Sequence, residues 1–141
     1  MRFSTKSRYA LRAVVDLASH SNGRPISITE ICQRQGLSSD YIEQLFIRLK
    51  KAGLLKSVRG SQGGYLLAKP AGSITVGDII RTVERPLTPV ICLDREGEGI
   101  KECSRSKECL TKPFWEKVNE KIGEVLDSTT LEDLAKGGDG C

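Results

Sequence analysis

Apolar side chains recur every three or four residues along most of this chain, a spacing that places them on one face of a helix. The pattern predicts helices over residues 5–19, 39–51 and 114–126, and a shorter helix between Thr75 and Pro86. A chain of 141 residues is long enough to bury a genuine core with such helices.

Several helix ends are marked by residues that cap backbone groups. A Ser or Thr followed three residues later by an acid is the capping-box pattern, in which each side chain bonds the backbone N–H of the other residue. The pattern occurs in Ser27 with Glu30, Thr75 with Asp78, and Thr130 with Asp133. The first pair predicts a helix ending near Gly36, and the last pair predicts a short helix running to about Lys136. Ser38 is expected to accept a backbone N–H at the start of the helix over 39–51, and Gly53 is expected to end it.

Two short β-like runs, residues 54–58 and 65–68, follow that helix and are joined by the sequence RGSQGG at residues 59–64. Three glycines in those six residues let the backbone turn sharply and approach another surface closely. Two helices around the turn at residues 36–38, followed by a glycine-rich hairpin, form the outline of a winged helix-turn-helix.

Charge is distributed unevenly along the chain. Twelve Lys and Arg against four Asp and Glu give residues 1–77 a balance of +8, whereas residues 78–141 have a balance of −4. The first helix carries Lys6, Arg8 and Arg12, and the stretch between Gln44 and Gly77 contains no carboxylate but six cations: Arg48, Lys50, Lys51, Lys56, Arg59 and Lys69. This bias suits the phosphate backbone of nucleic acid. The alternative is a chance clustering of solvated charges.

Other protein classes fit the sequence poorly. It has no run of about 18 apolar residues, so no membrane span is expected. The N-terminus lacks the apolar core of a signal peptide, so the expected location is the cytoplasm. The one histidine, His20, has no evident nucleophile to serve, and the glycine-rich turn is not followed by the Lys-Ser/Thr of a phosphate-binding loop. We therefore expect no enzyme activity.

Three cysteines, Cys92, Cys103 and Cys109, lie in an irregular stretch with ten and five residues between them. Soft thiolates brought together on one segment suit zinc or an iron–sulfur cluster. A redox-active thiol pair and unrelated surface thiols are the alternatives. Cys32, on the predicted second helix, is expected to be a buried structural thiol, and Cys141 a free one at the end of a glycine-rich tail.

The helix over 114–126 carries a single apolar stripe on an otherwise charged surface. Such a stripe needs a partner, and a second copy of the chain is the expected one. The alternative is that the helix packs back on its own domain. The predicted fold is mainly α with a small β-hairpin wing, a winged helix-turn-helix plus a long dimerisation helix. Its predicted parts are a DNA-binding domain over 1–85, a cysteine-bearing cluster loop over 86–111, and the dimerisation helix, short terminal helix and tail over 112–141.

Four segments resemble the IscR-type family of bacterial winged-helix regulators, which also includes NsrR and CymR: MRFSTKSRYA at 1–10, YIEQLF at 41–46, LKKAGL at 49–54 and SVRGSQGGY at 57–65. The resemblance covers nearly the whole chain. It implies a homodimeric transcription regulator that binds double-stranded DNA at a pseudo-palindromic operator and governs iron–sulfur cluster biogenesis genes. It also implies a [2Fe–2S] or related cluster held by Cys92, Cys103 and Cys109.

The same resemblance assigns base-reading positions to Glu43 and Gln44, whose side chains match cytosine and adenine in the major groove. Arg59 matches a wing residue that enters the minor groove. Asp40 departs from the family, which has a hydroxyl side chain there. The full set expected to contact DNA is Ser38, Asp40, Tyr41, Glu43, Gln44, Arg48, Lys50, Lys51, Arg59, Gly60, Gly63 and Gly64.

The fourth cluster ligand does not follow from the resemblance. Lys112 stands where IscR-like members have a histidine, and Arg8 stands where NsrR-like members have an acid. Candidates are therefore open: Glu102, Glu108, Cys141 or an exogenous group. Two other functions are also left open, namely a cluster-free regulator of thiol stress or cysteine metabolism, and an iron–sulfur or docking module that does not bind DNA.

Overall fold

A computed structural model describes residues 3–84 and 108–137. Within these residues the chain is mainly helical, with one antiparallel two-stranded hairpin, which confirms the predicted fold class. The elements in chain order are α1 (Thr5–His20), α2 (Ile28–Gln35), α3 (Ser39–Lys51), β1 (Leu55–Val58), β2 (Gly64–Leu67), α4 (Val76–Val83), α5 (Lys112–Ser128) and α6 (Leu131–Lys136), with a 3-10 turn at Ala71–Ser73.

Two of the three predicted capping boxes form completely, at the starts of α4 and α6. The first is only half formed. The Ser27 hydroxyl accepts the Glu30 N–H at 3.1 Å, but the Glu30 carboxylate pairs with Arg34 at 2.9 Å. An ion pair one turn along the helix has taken the place of the expected bond to the Ser27 backbone.

The ends of α3 correct one prediction and confirm another. Ser38 occupies the N-cap position, but its side chain makes no capping bond, so the expected cap is wrong. At the other end Gly53 has φ +80°, and its N–H donates to the Lys50 carbonyl while the Leu54 N–H donates to the Leu49 carbonyl. Gly53 therefore ends the helix as predicted, because that backbone conformation is strained for any other residue type.

The core lies where α1, α2, α3 and α4 meet, with one residue contributed by α6. Its largest fully buried side chains are Phe46, Leu17, Ile26, Ile31, Ile42, Leu49, Ile74, Ile79 and Leu131. The Phe46 ring packs edge-to-face on Tyr65 of β2, with centroids 5.2 Å apart. Burying a side chain of this size stabilises a fold by ~1.5–3 kcal/mol, so Phe46 fixes α3 against both the core and the hairpin.

A buried polar cluster joins α1 to α2. The Asp16 carboxylate accepts hydrogen bonds from Arg34 Nε and Nη2, the latter at 2.7 Å, and from Gln35 Nε2 at 2.9 Å. Burial acts to raise the pKa of Asp16, but the bonds from Arg34 and Gln35 outweigh it and the pKa is lowered. The carboxylate is therefore charged at neutral pH and fully bonded, as a buried charge must be.

The hairpin is attached to the core through the segment before α2. Its register pairs Leu55 with Leu67 and Val58 with Gly64, and an isolated bridge joins Tyr65 to Ile26. A Cβ on Gly64 would lie 2.4 Å from the Ile26 carbonyl carbon. Glycine is thus required at 64 because two backbones touch there.

α5 is attached to the rest of the fold mainly near its C-terminal end. An isolated bridge pairs Thr75 with Thr130, and Arg81 of α4 forms a bidentate ion pair with Asp127. None of the α5 residues is buried. The helix therefore packs on its own domain at this end and still presents an apolar face to solvent.

Candidate nucleic-acid interface

Helix α3, which we call the recognition helix after its place in the predicted helix-turn-helix, buries one face and exposes the other. Ile42, Leu45, Phe46 and Leu49 are buried at helical spacing, so the core fixes the rotation of the helix about its axis. The opposite surface carries the exposed polar residues predicted to contact DNA: Ser38, Asp40, Glu43, Gln44, Arg48, Lys50 and Lys51. Tyr41 lies half-buried at the edge of this surface. Helix α3 thus presents its polar side chains on one face, together with the exposed Ile47.

The wing lies beside the C-terminal end of α3. Lys50 Nζ of the helix donates to Ser57 Oγ of β1 at 2.7 Å, which brings the two elements into contact. Lys56, Arg59 and Gly60 of the wing are exposed, whereas Gly63 and Gly64 are half-buried. Gly60 has φ +113°, and a Cβ on Gly63 would lie 2.2 Å from the Val58 carbonyl oxygen, so the turn needs both glycines. The structure therefore brings the predicted helix and wing residues to neighbouring surfaces of one domain.

A cleft of about 600 Å³ on another flank of α3 was not predicted. Its lining residues include two cations, Lys6 and Arg48, together with Ser4, Thr5, Tyr41, Thr82, Val83 and Glu84. The Tyr41 ring also packs edge-to-face on Tyr9 of α1 at 6.1 Å. The start of α1 is therefore part of the surface around the recognition helix.

Glu84 closes this cleft at the end of α4. Its carboxylate accepts the Ser4 N–H at 3.3 Å and the Ser7 hydroxyl. Burial acts to raise the pKa of Glu84, but the bonds from Ser4 and Ser7 and the Lys6 charge lower it. One sequence signal for this contact existed, since Ser7 stands on the buried face of α1 with Ala10, Val14 and Leu17.

Only one of the three predicted cluster ligands lies within the described residues. Cys109 is half-buried just before α5, with Sγ 3.2 Å from Thr111 Oγ1. The Thr111 hydroxyl and backbone N–H lower the pKa of this thiol and favour the thiolate that binds metals. Cys92, Cys103 and Cys141 lie outside the described residues, as does Glu102, whereas Glu108 is exposed beside Cys109.

The other singled-out residues have structural roles. Cys32 is buried as predicted, and burial, together with the Asp16 charge, raises the pKa of its thiol. His20 ends α1, with its Nδ1 2.9 Å from the Asp16 carbonyl oxygen.

No helix within residues 3–84 and 108–137 is both long and apolar enough to cross a membrane.

Comparison with known proteins places this geometry in a family. The model of the Rrf2 family, described as iron-dependent transcriptional regulators, matches residues 3–137. The HTH-type transcriptional regulator IscR of Yersinia pseudotuberculosis is 42% identical over 139 residues, which are 99% of this chain and 82% of that protein.

Two solved structures are also similar. CymR, the global cysteine regulator of B. subtilis, has a TM-score of 0.80 and 41% identity and covers 99% of both chains. IscR of T. potens has a TM-score of 0.76 and 45% identity and covers 99% of this chain and 89% of its own. These relatives are regulators and not enzymes. The chain, with its recognition helix and wing, is therefore a DNA-binding transcription regulator of the Rrf2 family.

Proposed function

We propose that this regulator is a homodimer whose affinity for its operator depends on a [2Fe–2S] cluster, and that it controls genes of iron–sulfur cluster biogenesis. The observation that carries the proposal is the position of Cys109, directly before the helix with the exposed apolar face. A ligand there would tie the cluster to the element that joins two copies. When bound, such a cluster supplies an iron-dependent, redox-active group.

The donor chemistry of the chain fits this cofactor. Cys92, Cys103 and Cys109 would hold the cluster, since thiolates are its usual ligands and Cys109 is reachable from solvent. Cys32 is unsuited because it is 7% exposed in the core. Glu108 remains a candidate for the fourth ligand because it adjoins Cys109.

The dimer is supported by an apolar groove of about 650 Å³ along α5. Phe114 and Val125 in this groove are 59% and 64% exposed, which is unusual for large apolar side chains. The groove is lined by Phe3, Phe114, Lys117, Val118, Lys121, Ile122, Val125 and Leu126. A second copy of the chain, related by two-fold symmetry, would cover these residues. The dimer would then place two recognition helices on the same DNA duplex.

On DNA, α3 would enter the major groove with Glu43 and Gln44 against base edges, and Arg59 of the wing would enter the minor groove. Arg48, Lys50 and Lys51 are exposed cations suited to phosphates. Two DNA-binding domains related by two-fold symmetry require a pseudo-palindromic operator.

The dimer is tested by sedimentation of Phe114→Asp and Val125→Asp variants. We expect both to sediment as monomers, because a buried carboxylate on the apolar face is costly. Leu110→Asp is the control, since Leu110 is 95% exposed and does not line the groove. Dimers in both groove variants would overturn this interface.

A second candidate function is a cluster-free thiol-responsive regulator. It is supported by the likeness to CymR and by Lys112 at the position where IscR-like members have a histidine. In that case Cys109 would respond to oxidants as a thiolate.

Iron and sulfide quantitation on protein purified without oxygen separates the two. We expect stoichiometric iron and sulfide with charge-transfer absorption, lost in Cys92→Ser, Cys103→Ser and Cys109→Ser. Cys32→Ala is the matched control and should keep the cluster. Colourless, iron-free wild-type protein that still binds DNA would favour the thiol-responsive regulator.

A further inference from the structure

The short helix α4 connects the long helix to the part of the chain that reads DNA. It packs against α5 and also against α1 and α3. The Thr75–Thr130 bridge precedes its first residue, and Arg81 of its last turn reaches back beside Gly77 to pair with Asp127, with Arg81 Nη2 3.1 Å from Asp127 Oδ2; these two contacts hold α4 to the C-terminal end of α5. Any displacement of that end of α5 therefore acts directly on α4.

The other end of α4 holds the first turn of α1 and a side chain of the recognition helix. The Glu84 carboxylate accepts the Ser4 N–H and the Ser7 hydroxyl, and Ser7 is 1% exposed. The neighbouring Val83 carbonyl lies 3.5 Å from Arg48 Nη1 of α3. Two adjacent residues at the end of α4 thus contact both elements that flank the cleft.

The Glu84 contact joins an ionised carboxylate to two donors at the start of α1, the Ser4 N–H and the Ser7 hydroxyl. Bonds from an N–H and an O–H to an ionised carboxylate are shorter and stronger than bonds between neutral groups. They also hold the first turn of α1, which contributes Lys6 to the cleft that Arg48 of the recognition helix also lines. Without Glu84, Ser4 and Ser7 lose their hydrogen bonds to the end of α4, and only packing holds the first turn of α1 there.

We propose that Glu84 is a positioning residue for operator recognition, coupling the placement of α5 to that of α1 and the recognition helix through Ser4 and Ser7. The inference rests on the proposed function, because it assumes that operator affinity differs between cluster-loaded and cluster-free protein. A position between two sites does not establish coupling, so the test measures the coupling itself.

The measured quantity is the ratio of the dissociation constants of cluster-free and cluster-loaded protein for one duplex selected from a randomised pool. We expect a wild-type ratio that differs from one by about fivefold or more. Glu84→Ala and Ser7→Ala should each bring it to within about twofold of one, with no further change in the double variant, because both remove the same contact.

Two further variants separate positioning from a general loss of structure. Glu84→Gln keeps an acceptor oxygen for the Ser4 N–H and Ser7 hydroxyl, so it should restore part of the ratio. Glu132→Ala removes an exposed α6 carboxylate that pairs with Lys136 at 2.7 Å, and should leave the ratio unchanged. If Glu84→Ala fails to fold, Ser7→Ala decides, since it removes a single hydroxyl.

The outcomes distinguish this inference from the proposed function. A wild-type ratio different from one that persists in Ser7→Ala and Glu84→Ala overturns the role of Glu84 alone. A wild-type ratio of one overturns cluster control and, with it, this inference.

Discussion

Replacing Arg34 with Met removes the main partner of a buried carboxylate. The Asp16 side chain is 1% exposed and bonds Arg34 through two nitrogens. Met fills much of the volume of the Arg stem, so the change removes mainly the charge and its hydrogen bonds. Because Asp16 lies in α1 and Arg34 in α2, the variant weakens the polar contact between the first two helices and leaves only the Gln35 bond to Asp16.

The expected cost follows from the burial of the two partners. Removing one partner of a buried ion pair destabilises a protein by ~3–5 kcal/mol. The Arg34 side chain is 30% exposed and Gln35 still bonds Asp16, so the lower end, ~3 kcal/mol, applies. At a urea dependence of ~1–3 kcal/mol per molar, the unfolding midpoint falls by roughly 1–3 M.

Urea unfolding followed by far-ultraviolet circular dichroism at neutral pH measures this change. All variants are compared at one protein concentration, because dimerisation contributes to apparent stability. Lys136→Met is the control: its pair with Glu132 on α6 is 74% and 48% exposed and lies outside the α5 groove, and such pairs contribute less than about 1 kcal/mol. An Arg34→Met variant within about 0.5 kcal/mol of wild type would refute the role given to Asp16.

Three other predictions concern pH, the hairpin and DNA. The pKa of Asp16 is lowered in the folded state, so its contribution to stability is fully present above the ordinary value of 3.8 and is lost as pH falls through the folded pKa; the urea midpoint should therefore begin to fall below about pH 5 and keep falling below pH 3.8, and a flat profile over that range would contradict this. Gly64→Ala should cost ~2 kcal/mol or more in urea unfolding, because the new Cβ meets the Ile26 backbone at 2.4 Å, and a neutral effect would refute that contact. Lys51→Ala should lower the slope of log affinity against log salt by about 1, because Lys51 is an exposed cation of α3 suited to a phosphate, whereas Lys136→Ala on α6 should leave it unchanged; equal slopes in both variants would exclude a phosphate contact at 51.

The helices and the hairpin could be predicted from sequence because their signals are local. Apolar spacing fixes the buried face of α3, and Thr75 with Asp78 marks the start of α4 within four consecutive residues. Gly53 likewise ends α3 through bonds to residues just before it. Sequence patterns that involve only neighbouring residues depend little on how the rest of the chain folds.

The contacts that connect distant segments could not be predicted in the same way. Glu30 was expected to cap α2, but Arg34 and Arg24 compete for its carboxylate. The bond from Ser7 to Glu84 spans 77 positions, and no local pattern pairs these two residues. The family resemblance likewise predicts base-reading positions on α3, which remain a prediction, and it gives no sign of the cleft beside them.

The central claim is that the state of a thiolate-bound cluster changes how the winged helix holds its operator. The most direct measurement compares cluster-loaded and cluster-free protein on one operator duplex at one salt concentration. We predict dissociation constants that differ by about fivefold or more. Equal dissociation constants would contradict the claim, provided that iron analysis shows one preparation to be loaded with the cluster and the other to be free of it.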